Sequence, residues 1–308
     1  MNQSPLHVFV VHSPLALVMM ALVMKHEGIR HTETRAILVR NQRGSQELLG
    51  QMGITSSHAD SDLLKSGYYP PRAGLRKISH FDKLMQRLTT AQHFHLYTFD
   101  CVSTLNQLAI THPGCQSVSL MEEGTDHMRS LAFLAENHFL LAESQTMYSD
   151  THSDRFFSTG IVSDKVHNLY RFSSFGWPEA EAIDVFDVDT LIGFGPRKEI
   201  DTLLLIPKNT DLSSVARFKG LDALEPTPPD RTAVLTVKYH PGITRKEKKF
   251  WGTHLMERFG RFETINDDTF SVEAALASQK VSRLAAWGSS SLVYARMFGV
   301  NCIDLRLP

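Results

Sequence analysis

Cysteine is scarce in this chain of 308 residues, and the few present form no pattern. Cys101, Cys115 and Cys302 make no C-x-x-C pair and leave an odd thiol, which suits a reducing cytoplasm better than a disulfide framework. Net charge is lacking too. Lys and Arg number 32 against 33 Asp and Glu, and the resulting −1 excludes a globally basic nucleic-acid binder while leaving local basic patches open. There is no long hydrophobic run. The most apolar stretch, Pro14 to Met24, is too short to span a bilayer and has no positive leader and no small-residue cleavage site before Lys25. A buried helix after the first strand is expected there, in a cytoplasmic protein. No internal repeat or low-complexity tract is found. What is present is ordinary for a soluble globular protein: 42% hydrophobic and 21% charged residues. The length suits two domains of roughly 150 residues each.

Strands and helices alternate along the chain. Leu6 to Val11 (LHVFVV) reads as a buried strand, and Ser13-Pro14 as an N-cap and first helical position for a helix from Leu15 to His26. Further strands are expected at Arg35 to Val39, His95 to Phe99 and Ser117 to Met121. Helices are expected at Ser45 to Gly53, Ile78 to Ala91, Thr104 to Thr111 and Met128 to Glu136. The pattern blurs from Tyr148 to Glu199 and then resumes. Strands are expected at Leu203 to Ile206, Ala233 to Lys238, Arg261 to Ile265, Arg283 to Trp287 and Cys302 to Leu305. The helices between them are Lys246 to Phe259, Val272 to Gln279 and Leu292 to Gly299, and 225–230 (EPTPPD) reads as a surface loop. Such alternation predicts an α/β fold of two Rossmann-like, doubly wound domains, 1–195 and 196–308, joined near Gly195.

Three polar clusters sit where strands end: Glu122-Glu123-Gly124, Lys238-Tyr239-His240-Pro241 and Ser289-Ser290-Ser291. Ligands in doubly wound sheets bind beyond the carboxyl ends of the strands, so these are the expected places for chemistry. Adjacent carboxylates can raise each other's pKa, which suits a general base, and glycine permits a tight turn. A solvated acidic turn is the plainer alternative. Proline fixes the turn after His240, and a held imidazole can stabilise or protonate a leaving phosphate. Lys238, two residues earlier on an extended backbone, faces the same side. Gly288 to Ser291 precedes a helix, where free N–H groups and hydroxyls make an anion site, although one serine suffices for capping. Glu273, with Ser271 as cap, suits the positive end of a helix dipole with or without a ligand.

The order and context of these clusters resemble the D/E-D/E-G, HP and serine motifs of bacterial sialyltransferases, namely the polysialyltransferases and lipooligosaccharide sialyltransferases. The resemblance implies a GT-B architecture, two domains facing across a cleft. It implies an inverting transferase that moves sialic acid or a related nonulosonate from a CMP-sugar donor to a glycan acceptor of a surface polysaccharide or lipooligosaccharide. Glu123 is then the catalytic base and His240 the group that meets the departing phosphate. Lys238, Pro241, Glu273, Ser289, Ser290 and Ser291 are donor contacts, while His12, Ser13 and Glu122 lie on the acceptor side. No metal or other cofactor is expected, and no nucleic-acid partner.

Other clusters are weaker. The basic run Arg245 to Trp251 reads as a solvated helix face or, through Phe250 and Trp251, as a peripheral contact with the inner membrane surface. His93 and His95 share a strand face with no further ligand at a recognisable spacing, and the D-x-D at Asp187 and Asp189 sits away from a clear strand-to-helix turn. The rival readings are a UDP-sugar transferase or sugar-nucleotide 2-epimerase on the same fold, or a non-catalytic nucleotide-sugar or glycan-binding module. The first two typically carry a D-S-G-G-x-x-E-E-type loop, and this chain has no paired glutamates after its serines.

Overall fold

The computed structural model describes residues 5–39, 43–60, 71–101, 103–123, 165–174, 176–177, 180–196, 198–207, 220–224, 234–267 and 269–306. Gly124, the helix expected over 128–136 and the loop at 225–230 lie outside them. The chain divides into two compact units, Met1–Asp187 and Val188–Pro308.

The first unit runs β1 (Leu6–Val11), α1 (Pro14–Glu27), β2 (Thr34–Val39), α2 (Arg43–Gln51), β3 (Thr55–Ala59), α3 (Pro71–Thr89), β4 (Phe94–Thr98), α4 (Thr104–Ile110), β5 (Cys115–Met121), β6 (Val166–Arg171) and β7 (Ile183–Asp184). The sheet order is β3-β2-β1-β4-β5-β6-β7, with every pairing parallel. A parallel strand flanked on both faces reads as a continuous apolar run, and Val8, Phe9, Val10 and Val11 are all fully buried. The apolar segment after β1 is a buried helix, as expected. Ser13 Oγ accepts the Ala16 N–H at 3.0 Å, Pro14 occupies the first turn, and Gly28 at φ 66° closes the helix in the left-handed region.

The second unit runs α5 (Val188–Phe194), β8 (Ile200–Ile206), β9 (Leu235–Tyr239), α6 (Arg245–Phe259), β10 (Phe262–Ile265), α7 (Val272–Ala277), β11 (Val281–Ala286), α8 (Ser291–Met297) and β12 (Asn301–Asp304). Its order is β10-β9-β8-β11-β12, again parallel throughout. Each unit therefore reverses its strand order once, at β1/β4 and at β8/β11. Loops after those strands border a topological switch point.

Some expectations need correction. The division falls at Asp187/Val188 and not at Gly195, because α5 packs against α7 and belongs to the second unit. Gly195 marks the end of that helix. Strands β3, β6 and β7 went unread from the sequence. The TSSHA of β3 and the VHNLYR of β6 lack clean apolar alternation, and main-chain pairing at the sheet margins holds them. The basic helix α6 keeps its cations exposed, but Trp251 is buried and packs on Trp287 at 5.3 Å. Phe250 lies against His254 at 4.3 Å. Trp251 thus belongs to the core of the second unit, with Phe250 partly buried against it. Among the described residues no helix is long and apolar enough to cross a membrane.

Near the amino ends of the first sheet lies a polar network. His95 bonds Ser117 Oγ through Nδ1 and Ser119 Oγ through Nε2, while His7 Nδ1 meets Tyr97 OH at 3.1 Å. Two hydroxyl partners satisfy a neutral imidazole, and burial, with the His7 and His167 charges adding to it, lowers the His95 pKa from 6.5 to about 4. Burial lowers His7 as well. The unfolded chain then takes up these protons first as pH falls. Stability present above pH 6.5 is lost down to about pH 4, with His95 contributing at most about 3 kcal/mol. Urea unfolding across that window is expected to show this decline, flattened in His95→Gln. A wild type equally stable at both ends would remove the network as its cause.

Candidate functional site

At the carboxyl edge of the first sheet the two glutamates after β5 part company. Glu122 has no exposed surface. Its carboxylate accepts the N–H groups of Phe172 and Ser173, both at 3.0 Å, and the Ser173 hydroxyl at 2.5 Å. Gly176 comes so close that an added Cβ would lie 2.5 Å from Glu122 Oε2. The expected acceptor-side role of Glu122 is therefore corrected: no face of it is open to a substrate, and its carboxylate ties the end of β5 to the turn after β6.

Glu123 is the more open of the pair, its side chain 25% exposed, and one carboxylate oxygen contacts His12 Nε2. His12 follows β1 at the switch point, is 5% exposed and lies with its ring 3.8 Å from that of Phe99, just after β4. Its Nδ1 is buried without a hydrogen-bond partner among the described residues. Leaving a buried acceptor unmet costs about 1–3 kcal/mol, so such atoms call for an explanation. Ser13 is accounted for by its cap bond, and nothing marks it as an acceptor contact. Chain order alone did place His12 and Glu123 at strand ends. Their pairing across 111 residues, and the part of Phe99, had no signal in the sequence.

The second sheet gathers the remaining motif residues at its own carboxyl edge. His240 extends the ladder through its N–H to Ile206 O at 2.9 Å, and its Nδ1 accepts the Gly242 N–H at 3.0 Å. The proton of the neutral ring then sits on Nε2, making that nitrogen a donor. Pro241 is exposed in the same turn. Lys238 Nζ lies 3.5 Å from Asp267 O and 5.0 Å from the centre of the Phe270 ring.

The serine row is less open than expected. Ser289 Oγ accepts the Ser291 N–H at 3.2 Å, and the carbonyls of Ser289 and Ser290 accept Leu292 and Val293 N–H at 3.0 and 2.9 Å. Ser291 is buried and donates its hydroxyl to Glu273 Oε1 at 3.1 Å, while Ser271 donates to Oε2 at 3.0 Å. Glu273 thus braces the starts of α7 and α8, which corrects Ser291 from a direct phosphate contact to a structural donor. Ser290 makes no side-chain cap bond.

The sequence reading also missed Arg306. Asp304 accepts the Gly288 N–H at 3.3 Å and grips the guanidinium of Arg306, with Nη2 to Oδ2 at 2.6 Å. The guanidinium lies against Gly288, where an added Cβ would come 2.5 Å from Nη1, and glycine at φ 63° leaves it room. Its only sequence signal is a D-x-R at a strand end.

No family model matches this chain, and no curated protein does. Among solved structures it is similar to an α/β-galactoside α-2,3-sialyltransferase from Photobacterium phosphoreum at 11% identity and TM-score 0.53, covering 98% of this chain and 91% of that one. It is also similar to Anabaena HepE in complex with UDP and glucose, at 11% identity and TM-score 0.50 over 97% of this chain and 80% of that one. A third is the UDP-GlcNAc 2-epimerase of Methanocaldococcus jannaschii with UDP-GlcNAc and UDP, at 11% and 0.50 over 97% and 83%. Together with the two parallel sheets, these likenesses establish a GT-B fold.

Glu122→Ala leaves the N–H groups of Phe172 and Ser173 buried without their acceptor, at about 1–3 kcal/mol each. A loss of that order in urea unfolding is expected. An unchanged midpoint would show that water replaces the carboxylate.

Proposed function

We propose that this protein is an inverting, metal-independent glycosyltransferase taking sialic acid or a related nonulosonate from a CMP-sugar to a glycan acceptor. The observation that carries this reading is the gathering of Lys238, His240, Glu273, the serine row and Arg306 at the carboxyl edge of one sheet. A monophosphate leaving group needs donors and a cation, and no diphosphate-chelating metal. In this reading the second unit holds the donor, with the His240 Nε2–H, Ser290 and Arg306 on the phosphate and Lys238 and Glu273 toward the nucleoside. The first unit serves the acceptor, whose proton is drawn off by the acidic group at Glu123. The acceptor oxygen attacks the anomeric carbon, the bond from that carbon to the CMP phosphate breaks, and the departing charge meets His240.

The second reading, a UDP-sugar enzyme, is favoured by the fold likeness to proteins solved with UDP. Thermal shift with CMP, UDP and GDP separates the two, and CMP is expected to give the largest stabilisation; stabilisation by UDP alone would discard the CMP reading. Hydrolysis of CMP-sialic acid then separates an enzyme from a binding module. Glu123→Gln is expected to bind CMP normally and transfer roughly 10²-fold more slowly or worse. His240→Ala is expected to lose about 2.7–4 kcal/mol of transition-state stabilisation, read from kcat/KM. EDTA is expected to leave transfer unchanged. Manganese-restored activity after EDTA would revive the D-x-D at Asp187 and Asp189 as a metal site.

A further inference from the structure

The solvent face of α6 goes against two local rules at once. Arg245, Lys246, Lys248 and Lys249 crowd its first residues, and all four are exposed. Positive charge is unfavourable at the positive end of a helix dipole, and like charges three or four residues apart repel. Arg245 and Lys249 form such a pair, as do Lys246 and Lys249. The capping box starts the helix without their help: the Thr244 N–H meets Glu247 at 2.7 Å and the Glu247 N–H meets Thr244 Oγ1 at 3.2 Å. Among the described residues none of the four cations makes an ion pair, and Lys248 rests 5.6 Å from the centre of the Tyr239 ring. Charges that weaken their own helix, in a chain of net charge −1, point to an anionic partner outside the chain.

The same face carries an apolar side chain. At the helical repeat, Arg245, Lys249, Thr253 and Met256 fall on one stripe, opposite Trp251 and Leu255, which are buried in the core of the second unit. Met256 is 50% exposed, the most open large hydrophobic among the described residues. A soluble polyanion offers such a stripe charge alone. An anionic bilayer offers headgroups to the cations and, just beneath them, hydrocarbon to a methionine, and the lysine stems bridge the two depths. We propose that this stripe of α6 docks on an anionic phospholipid surface, with Arg245, Lys246 and Lys249 on the headgroups and Met256 entering the interface. The contact is peripheral and reversible, since a few charges and one apolar side chain hold far less firmly than a spanning helix. It uses none of the groups assigned to donor or acceptor and does not depend on the transferase reading.

Co-sedimentation of the full chain with vesicles tests this, using phosphatidylglycerol and phosphatidylcholine in equal parts against phosphatidylcholine alone. Binding is expected to the anionic vesicles only, and added salt is expected to weaken it. Failure to bind them, or equal binding to both kinds, overturns the proposal. The double variant Lys246→Gln/Lys249→Gln is expected to bind roughly 10-fold more weakly or worse. Its urea midpoint is expected to stay level or rise, because the crowding at the helix start is relieved. A fall in that midpoint would show that the cations serve the fold, and would overturn the proposal. Met256→Ser is expected to bind the anionic vesicles roughly threefold more weakly or worse. Full retention of vesicle binding by Met256→Ser, with dextran sulfate displacing the vesicles, would make the stripe a site for soluble polyanions and discard the bilayer.

Discussion

Taking a carboxylate out of water costs several kcal/mol unless donors surround it, and Glu122 is placed where three donors converge. Two of them are backbone N–H groups of the turn after β6, so the buried side chain joins two neighbouring strands at their carboxyl ends. Adjacent residues on an extended chain point to opposite sides. Holding Glu122 on the Ser173 side therefore leaves Glu123 to the side of His12. The geometry of the acidic pair follows from this division of labour: one carboxylate is anchored by the fold so that its neighbour is presented. Gly176 belongs to the same device, because any side chain there would overlap the carboxylate.

Much of this was legible in the sequence, and for physical reasons. β1 and α1 announce themselves because a doubly covered strand and a buried helix need unbroken apolar runs, and because Ser13-Pro14 and Gly28 have the local chemistry of helix ends. β3, β6 and β7 do not, because strands at the sheet margin can be polar. Motif positions at strand ends could be read. Which neighbour of a pair stays accessible could not, because E-E is symmetric as text while burial is not. The same holds for the serines. Three in a row look like equivalent donors, yet one accepts a backbone N–H, one is left without a cap bond and one is turned inward to Glu273.

The second unit shows how a carboxylate can sit close to a predicted anion site without defeating it. Both oxygens of Glu273 receive hydroxyl hydrogen bonds, which disperse its charge and fix the spacing of two helix starts. The cations, Lys238 and Arg306, are held on their own supports, the Phe270 ring and the Asp304 carboxylate. Fixed charges of this kind need no rearrangement when an anion develops, which is the condition for electrostatic catalysis.

The contact between Arg306 and Gly288 joins the end of the described chain to the loop after β11. A stretch of three residues, Asp304 to Arg306, thereby acts as a latch on the turn that opens α8. Substitutions at Asp304 or Arg306 therefore act on the loop before α8 from a distance in sequence, and any redesign of that loop has to keep or replace this support.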